Sequence, residues 1–130
     1  MHRPSLIAAA VFGGLAVALG AFGAHGLQQI TSDEKILHGY NTAVQYQMYH
    51  ALALLGVGAL TTYLSSRYSK WIYSCFVAGI LLFSGSLYLL TFLKIQGSDA
   101  AKFAGPVTPV GGFFFIIGWV LLLVALLKKK

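Results

Sequence analysis

The sequence predicts an all-α integral membrane protein: a four-transmembrane-helix bundle of up-down topology with both termini cytoplasmic. Three observations predict it. Hydrophobic residues make up 58% of the chain and charged residues only 9%, against roughly 25% charged in a soluble domain. A soluble fold of 130 residues could not hide so much apolar surface, because a small protein leaves much of its surface exposed; the mean hydropathy of +0.77 says the same. The apolar residues fall into four runs, and all nine basic residues stand in the gaps and at the ends. One integral membrane domain, 1–130, is therefore expected, with spans at about 5–24, 43–64, 71–93 and 107–127.

The first run, 5–24, has the ~20 residues needed to cross a ~30 Å hydrocarbon layer. A cleavable signal peptide, with 21–24 as its small-residue cleavage region, is the competing reading. The run exceeds the ~7–15 residues of a usual signal core. Thr31 followed by Glu34 fits a capping box, so a helix should start near Ser32. That helix can lie along the interface as a short separate element and bend at Gly39 before the second span. The mainly apolar part of the second span begins only at Ala51 and is too short to cross alone. The turns holding Gln45, Tyr46, Gln47, Met48, Tyr49 and His50 must therefore enter the membrane or its interface. Trp71 and Tyr73 sit where an aromatic belt forms at the start of the third span. Proline at 106 suits the first turn of the fourth.

Orientation follows from counting. Arg3, Arg67, Lys70, Lys128, Lys129 and Lys130 lie at the ends and in the second loop, whereas Lys35, Lys94 and Lys102 lie in the first and third loops. The positive-inside rule places the first group in the cytoplasm. The net charge of +6 thus marks membrane sidedness. A nucleic-acid binder would gather its basic residues on one face or stripe of a soluble domain, and nucleic acid is not an expected partner.

Small residues recur at helical spacing. Ala9, Gly13, Ala16, Gly20 and Gly23 fall on one face of the first span. Ala78 and Gly85 in the third, and Gly111 and Gly118 in the fourth, are one heptad apart; Gly112 adjoins them. Such faces let helix backbones approach closely, which membrane association uses where water-driven burial is absent. Polar residues converge on the outer half of the bundle. His25 closes the first span. Gln45, Tyr46, Tyr49 and His50 open the second. Ser84, Ser86, Tyr88 and Thr91 lie toward the end of the third, and Thr108 and Pro109 open the fourth. One reading is a site for a small solute or proton, with His50 as its titratable group and His25, Gln45, Tyr46, Tyr49, Ser84, Tyr88 and Thr108 around it. The other is a belt of interfacial tyrosines and amides, with His50 a neutral imidazole that locks helices together.

Enzyme chemistry is not expected. Asp33, Glu34 and Asp99 are the only acidic residues and all lie in loops. No nucleophile stands beside a base at readable spacing, and the serines suit back-bonding to a preceding carbonyl. No metal and no cofactor is expected. His25 and His50 could pair on a metal or haem, but no further ligand accompanies them. Cys75 is a single cysteine in an apolar run and reads as a packing residue. The expected partners are the lipid bilayer and either a second copy of the chain or a larger membrane protein, for which it would be a structural or accessory subunit.

Four ordered stretches add a family resemblance: Gly20-Ala21-Phe22-Gly23-Ala24-His25-Gly26, Gln45-Tyr46-Gln47-Met48-Tyr49-His50-Ala51-Leu52, Leu82-Phe83-Ser84-Gly85-Ser86-Leu87-Tyr88 and Thr108-Pro109-Val110-Gly111-Gly112. Together they resemble the YgdD/YwdK-like family of small bacterial membrane proteins, a domain of unknown function with a related small transmembrane protein in animals. The resemblance spans nearly the whole chain. It implies four helices in a bacterial inner membrane, multi-pass, and no known reaction, substrate or cofactor.

Overall fold

A computed structural model describes residues 1–128 and is all-α, with no strand among them. The expectations for Lys129 and Lys130 lie outside the described residues. Four helices follow one another: α1, Arg3–Ile30; α2, Glu34–Ala59, tightening into a 3₁₀ turn at Leu60–Thr62; α3, Ser66–Ile95; and α4, Ala101–Leu127, whose long unbroken part is Val107–Leu127. By length and apolar composition α1, α3 and α4 can each cross a membrane.

The helix ends have local causes. Asp33 caps α2 by accepting the Lys35 N–H at 2.9 Å, while Thr31 Oγ1 accepts the Asp33 N–H at 3.2 Å. The capping box expected from Thr31 and Glu34 is thus replaced by an aspartate cap two residues later, since a short acidic side chain at the residue before the helix satisfies the same orphan N–H groups. The separate interfacial helix is also absent: α2 is helical without a break from Glu34 through Gly39 to Ala59. Ser65 caps α3 by accepting the Tyr68 N–H. Gly97, at φ +68°, ends α3 in the left-handed conformation that glycine adopts without a Cβ penalty.

Two helices contain a widened π-helical turn, at Gly23–Leu27 in α1 and at Ile80–Ser84 in α3. Through the first, α1 continues to Ile30 instead of ending near Ala24. Such turns insert one extra residue and rotate the following face.

The helices pack antiparallel in chain order. Along α1 and α2, Gly23 faces the Tyr40 ring, Gly20 faces Val44, Gly13 faces Ala51 and Leu6 covers Gly58. Along α3 and α4 the steps are Phe76 on Gly118, Phe115 on Gly79, and the backbone at Phe83 on Gly111. Each glycine here leaves a notch that a neighbouring ring, side chain or backbone fills. Gly85 does not: a methyl there would meet nothing within 4 Å. The close face of α3 runs through Gly79, because the π turn at Ile80–Ser84 breaks the heptad that joins Ala78 to Gly85. Helices α2 and α3 form the centre, where Leu54, Val57, Ile72, Phe76 and Ile80 are buried with Phe115 of α4.

Candidate functional site

Successive hydrogen bonds sew α2 to its neighbours. The Tyr40 hydroxyl donates to the Leu19 carbonyl, and Gln47 Nε2 donates to the Phe12 carbonyl at 2.8 Å. Tyr40 and Gln47 are one heptad apart on α2, and Leu19 and Phe12 are one heptad apart on α1, so the two antiparallel helices meet in register. From α3, the Tyr88 hydroxyl donates to Gln47 Oε1 at 2.6 Å and Ser84 Oγ donates to the Ala43 carbonyl at 2.7 Å. The hydroxyls of Ser86 and Thr108 pair across α3 and α4. Helix carbonyls keep a second lone pair after making their own backbone bond, and these side chains use it. Gln47, Ser84 and Ser86 are buried, and each is satisfied.

His50 lies further along α2, facing α3 and α4. Its Nδ1 is 2.8 Å from the Tyr46 carbonyl and its Nε2 is 3.0 Å from Trp119 Nε1. A carbonyl only accepts and an indole N–H only donates. Nδ1 must therefore carry the proton and Nε2 the lone pair, which makes His50 a neutral imidazole with both nitrogens satisfied. Its ring stacks on Phe115, with centroids 3.6 Å apart and planes at 10°, and meets Phe76 edge-on at 5.3 Å. Phe115 and Trp119 flank the midpoint of Val107–Leu127, so His50, packed on both, sits near the middle of the bundle's length.

Between α2 and α4 a groove of about 430 Å³ opens beside this cluster, lined by Tyr46, His50, Pro109, Gly112, Phe113, Phe115, Ile116 and Trp119. Helix α4 touches α3 along its length but reaches α2 mainly through these rings, and the space left between them is the groove. Phe113 and Ile116 are exposed, which turns the opening toward the lateral surface of the bundle. His50 forms the floor, at 5% exposure. Of the polar lining groups, the Tyr46 hydroxyl has no hydrogen-bond partner among the described residues.

The residues expected at the site separate into three groups. Tyr46 and His50 line the groove. Ser84, Tyr88 and Thr108 belong to the hydrogen-bonded seam. His25, Gln45 and Tyr49 are exposed and join neither. His25 lies two residues past Gly23, which meets Tyr40 of α2, and Tyr40 is roughly 15 Å along the helix axis from His50 at ~1.5 Å per residue, so the two imidazoles cannot share a metal ion. No group of three or more metal-ligating side chains occurs among the described residues. The residues that sequence reasoning missed are Gln47, Tyr40 and Trp119. Gln47 was legible: Tyr40, Ala43, Gln47, Ala51 and Leu54 recur by three and four, which puts the second glutamine of the stretch inward. Trp119 carried a signal as well, an indole donor deep in an apolar span that must find a partner.

The small residues expected at helix contacts have concrete neighbours. Gly20, Gly23 and Gly26 meet Val44, Tyr40 and the Phe22 ring, Gly111 meets the Phe83 backbone, and Ala16 is 1% exposed. Gly13 and Gly112 make ordinary contacts, with Ala51 and the Phe83 ring.

These features define a small helical membrane protein whose polar residues are turned inward to hold its helices in register. The chain belongs to the family described as "Protein of unknown function (DUF423)", which matches residues 19–112 and so includes all four stretches. It is similar to the UPF0382 membrane protein SAB0533 of Staphylococcus aureus (strain bovine RF122 / ET3-1), with 46% identity covering 88% of this chain and 87% of that one. It is 45% identical to the UPF0382 membrane protein YwdK of Bacillus subtilis (strain 168), covering 88% of each chain. A UPF0382 membrane protein of Haemophilus influenzae is 40% identical and covers all of this chain and 98% of its own. No solved structure matches the chain.

Proposed function

We propose that this protein is a four-span, multi-pass inner-membrane binding module, not an enzyme. Its groove between α2 and α4 takes a small molecule from the lipid phase. The fourth span is α2. It is flanked by α1 and α3 and bonded to both, and of the residues that lower its hydropathy Gln47 and His50 are buried, whereas Gln45 is exposed. The charge pattern supports termini in the cytoplasm. Lys35, Lys94 and Lys102 are matched in number by Asp33, Glu34 and Asp99 at one end, whereas Arg3, Arg67, Lys70 and Lys128 at the other have no acidic residue to offset them among the described residues.

The observation that carries the binding reading is the groove itself. Its 430 Å³ lies within the ~300–1,000 Å³ range of small-molecule sites. Its walls are aromatic and aliphatic, with the His50 ring at the floor and an unpaired Tyr46 hydroxyl. A molecule with an apolar body and one hydrogen-bonding group suits it. A proton or an ion suits it less, because no charged side chain lines the groove and His50 already uses both nitrogens.

The test uses 1-naphthol as probe. Of the two tryptophans, Trp71 is replaced by phenylalanine so that Trp119 alone reports. Saturable change of Trp119 emission is expected, and Gly112→Leu in the same background should abolish saturation by filling the groove. A Cβ at position 112 makes only an ordinary 3.7 Å contact with the Phe83 ring, and a thermal unfolding temperature matched to the parent's checks that the variant folds. Identical, non-saturating responses in both proteins would contradict the reading. Copurification with a larger membrane protein alongside that result would favour the accessory-subunit reading.

A further inference from the structure

Among the side chains that line the groove between α2 and α4, hydrogen-bonding capacity is spent everywhere but at Tyr46. The Trp119 indole N–H goes to His50 Nε2, and the His50 Nδ1 proton goes to the Tyr46 carbonyl. The phenylalanine, proline, glycine and isoleucine positions offer no polar side chain. The Tyr46 hydroxyl bonds no other described residue. Its ring is held in place. It stacks on Phe83 with centroids 4.7 Å apart and planes at 30°, and its centroid lies 6.3 Å from those of both His50 and Phe115. A ring already ordered by its neighbours gives up little freedom when a ligand arrives.

The free hydroxyl selects the polar group of an occupant. A tyrosine hydroxyl has one proton to donate and lone pairs to accept with. In an apolar medium a stranded donor is the loss that proteins avoid most, and an under-used acceptor oxygen is better tolerated. A ligand carbonyl accepts the Tyr46 proton and brings no proton of its own, so every donor in the pair is used. A ligand hydroxyl leaves one proton unplaced whichever partner donates, and an ammonium leaves more. A carboxylate would carry charge into a membrane groove that no cationic side chain lines.

The walls select the body. Tyr46, Phe113 and Trp119 all keep exposed ring surface, and rings favour stacked or edge-on contact with another ring. Gly112 adds no side chain to that wall. Because the groove opens laterally past the exposed Phe113 and Ile116, an alkyl part of the same molecule can stay in the lipid. On the reading of the groove as a small-molecule site, on which this inference rests, we propose that its occupant is a lipid-soluble aromatic carbonyl compound, a ketone or quinone, whose carbonyl oxygen accepts the Tyr46 hydroxyl proton.

The probes are 1-acetonaphthone and 1-ethylnaphthalene, which share a ring system and differ chiefly in the carbonyl. Each is titrated into the full chain in non-ionic detergent, in the Trp71→Phe background so that Trp119 emission reports, with and without Tyr46→Phe. Comparing one compound between two proteins cancels its partition into micelles. Tyr46→Phe should weaken the ketone about tenfold and change the hydrocarbon by less than about twofold. The unliganded variant should keep its unfolding temperature, since the ring stacks remain and the hydroxyl has no described bond to lose. The infrared carbonyl stretch of the bound ketone should lie at lower frequency with Tyr46 than with phenylalanine in its place, a signature that altered packing alone would not produce. Saturation by neither compound in the parent would overturn the groove reading and this inference with it. Saturation by both, with Tyr46→Phe affecting neither or both alike, or an unchanged carbonyl stretch, would overturn the carbonyl assignment alone.

Discussion

Gly111→Ala should destabilise the protein by about 3 kcal/mol, the upper part of the usual range for overpacking. The added methyl would fall inside van der Waals contact of the Phe83 backbone nitrogen and Cα and the Leu82 carbonyl carbon. These are backbone atoms within the π turn Ile80–Ser84, so no side chain can swing aside. Relief requires α3 and α4 to separate, which loosens Phe76 on Gly118, Phe115 on Gly79 and the Ser86–Thr108 pair. Gly112→Ala is the control. It would make only a 3.7 Å contact with the Phe83 ring and should change stability by no more than ~0.5 kcal/mol apart from the gain in helix propensity. Reversible unfolding of both variants in mixed micelles checks the difference, and similar values for the two would refute the close-approach account of α3 and α4.

Gln47→Leu should cost about 2 kcal/mol. It deletes the bond to the Phe12 carbonyl and leaves the Tyr88 hydroxyl without its acceptor. A bond between helices in a membrane is worth ~0.6–1.7 kcal/mol, and stranding a buried donor adds its own penalty. Tyr88→Phe in the Gln47→Leu background should therefore cost less than Tyr88→Phe alone. The double-mutant cycle should give a coupling of about 1 kcal/mol. Additive effects would mean that Tyr88 and Gln47 do not act as a pair.

How much of this was legible in the sequence depends on which physical signal marks each feature. The unbroken part of α4, Val107–Leu127, coincides with the expected span because proline and lysine stand at its ends, where polarity and helix formation change together. The helical character of 45–50 was also readable, since the apolar stretch after it is too short to cross alone. Helices α1 and α3 run past their apolar runs because hydrogen bonding continues through polar residues, and hydropathy does not register that. The π turns escape any fixed period, which is why Gly79 and not Gly85 holds the close approach. The gathering of polar residues at one end was legible only in part. Tyr88, Ser84 and Thr108 lie in one seam, but they are satisfied by Gln47, the Ala43 carbonyl and Ser86 instead of facing a common space. His25, Gln45 and Tyr49 point outward because neighbouring positions on a helix lie ~100° apart, and naming a whole polar stretch counts both faces. The groove comes from the splay of α4 away from α2, a property of the packed bundle that no local pattern carries.

The proposed binding reading requires His50 to be a neutral imidazole, bonded at Nδ1 to the Tyr46 carbonyl and at Nε2 to the Trp119 indole. Nitrogen-15 NMR of the His50 imidazole in lipid bilayers tests it most directly. A single neutral form is expected from pH ~5 to ~8, the interval in which an ordinary histidine titrates, with Nδ1 protonated and Nε2 a bare acceptor coupled to the Trp119 indole proton. An imidazolium with both nitrogens protonated anywhere in that interval, or the opposite tautomer, would contradict it.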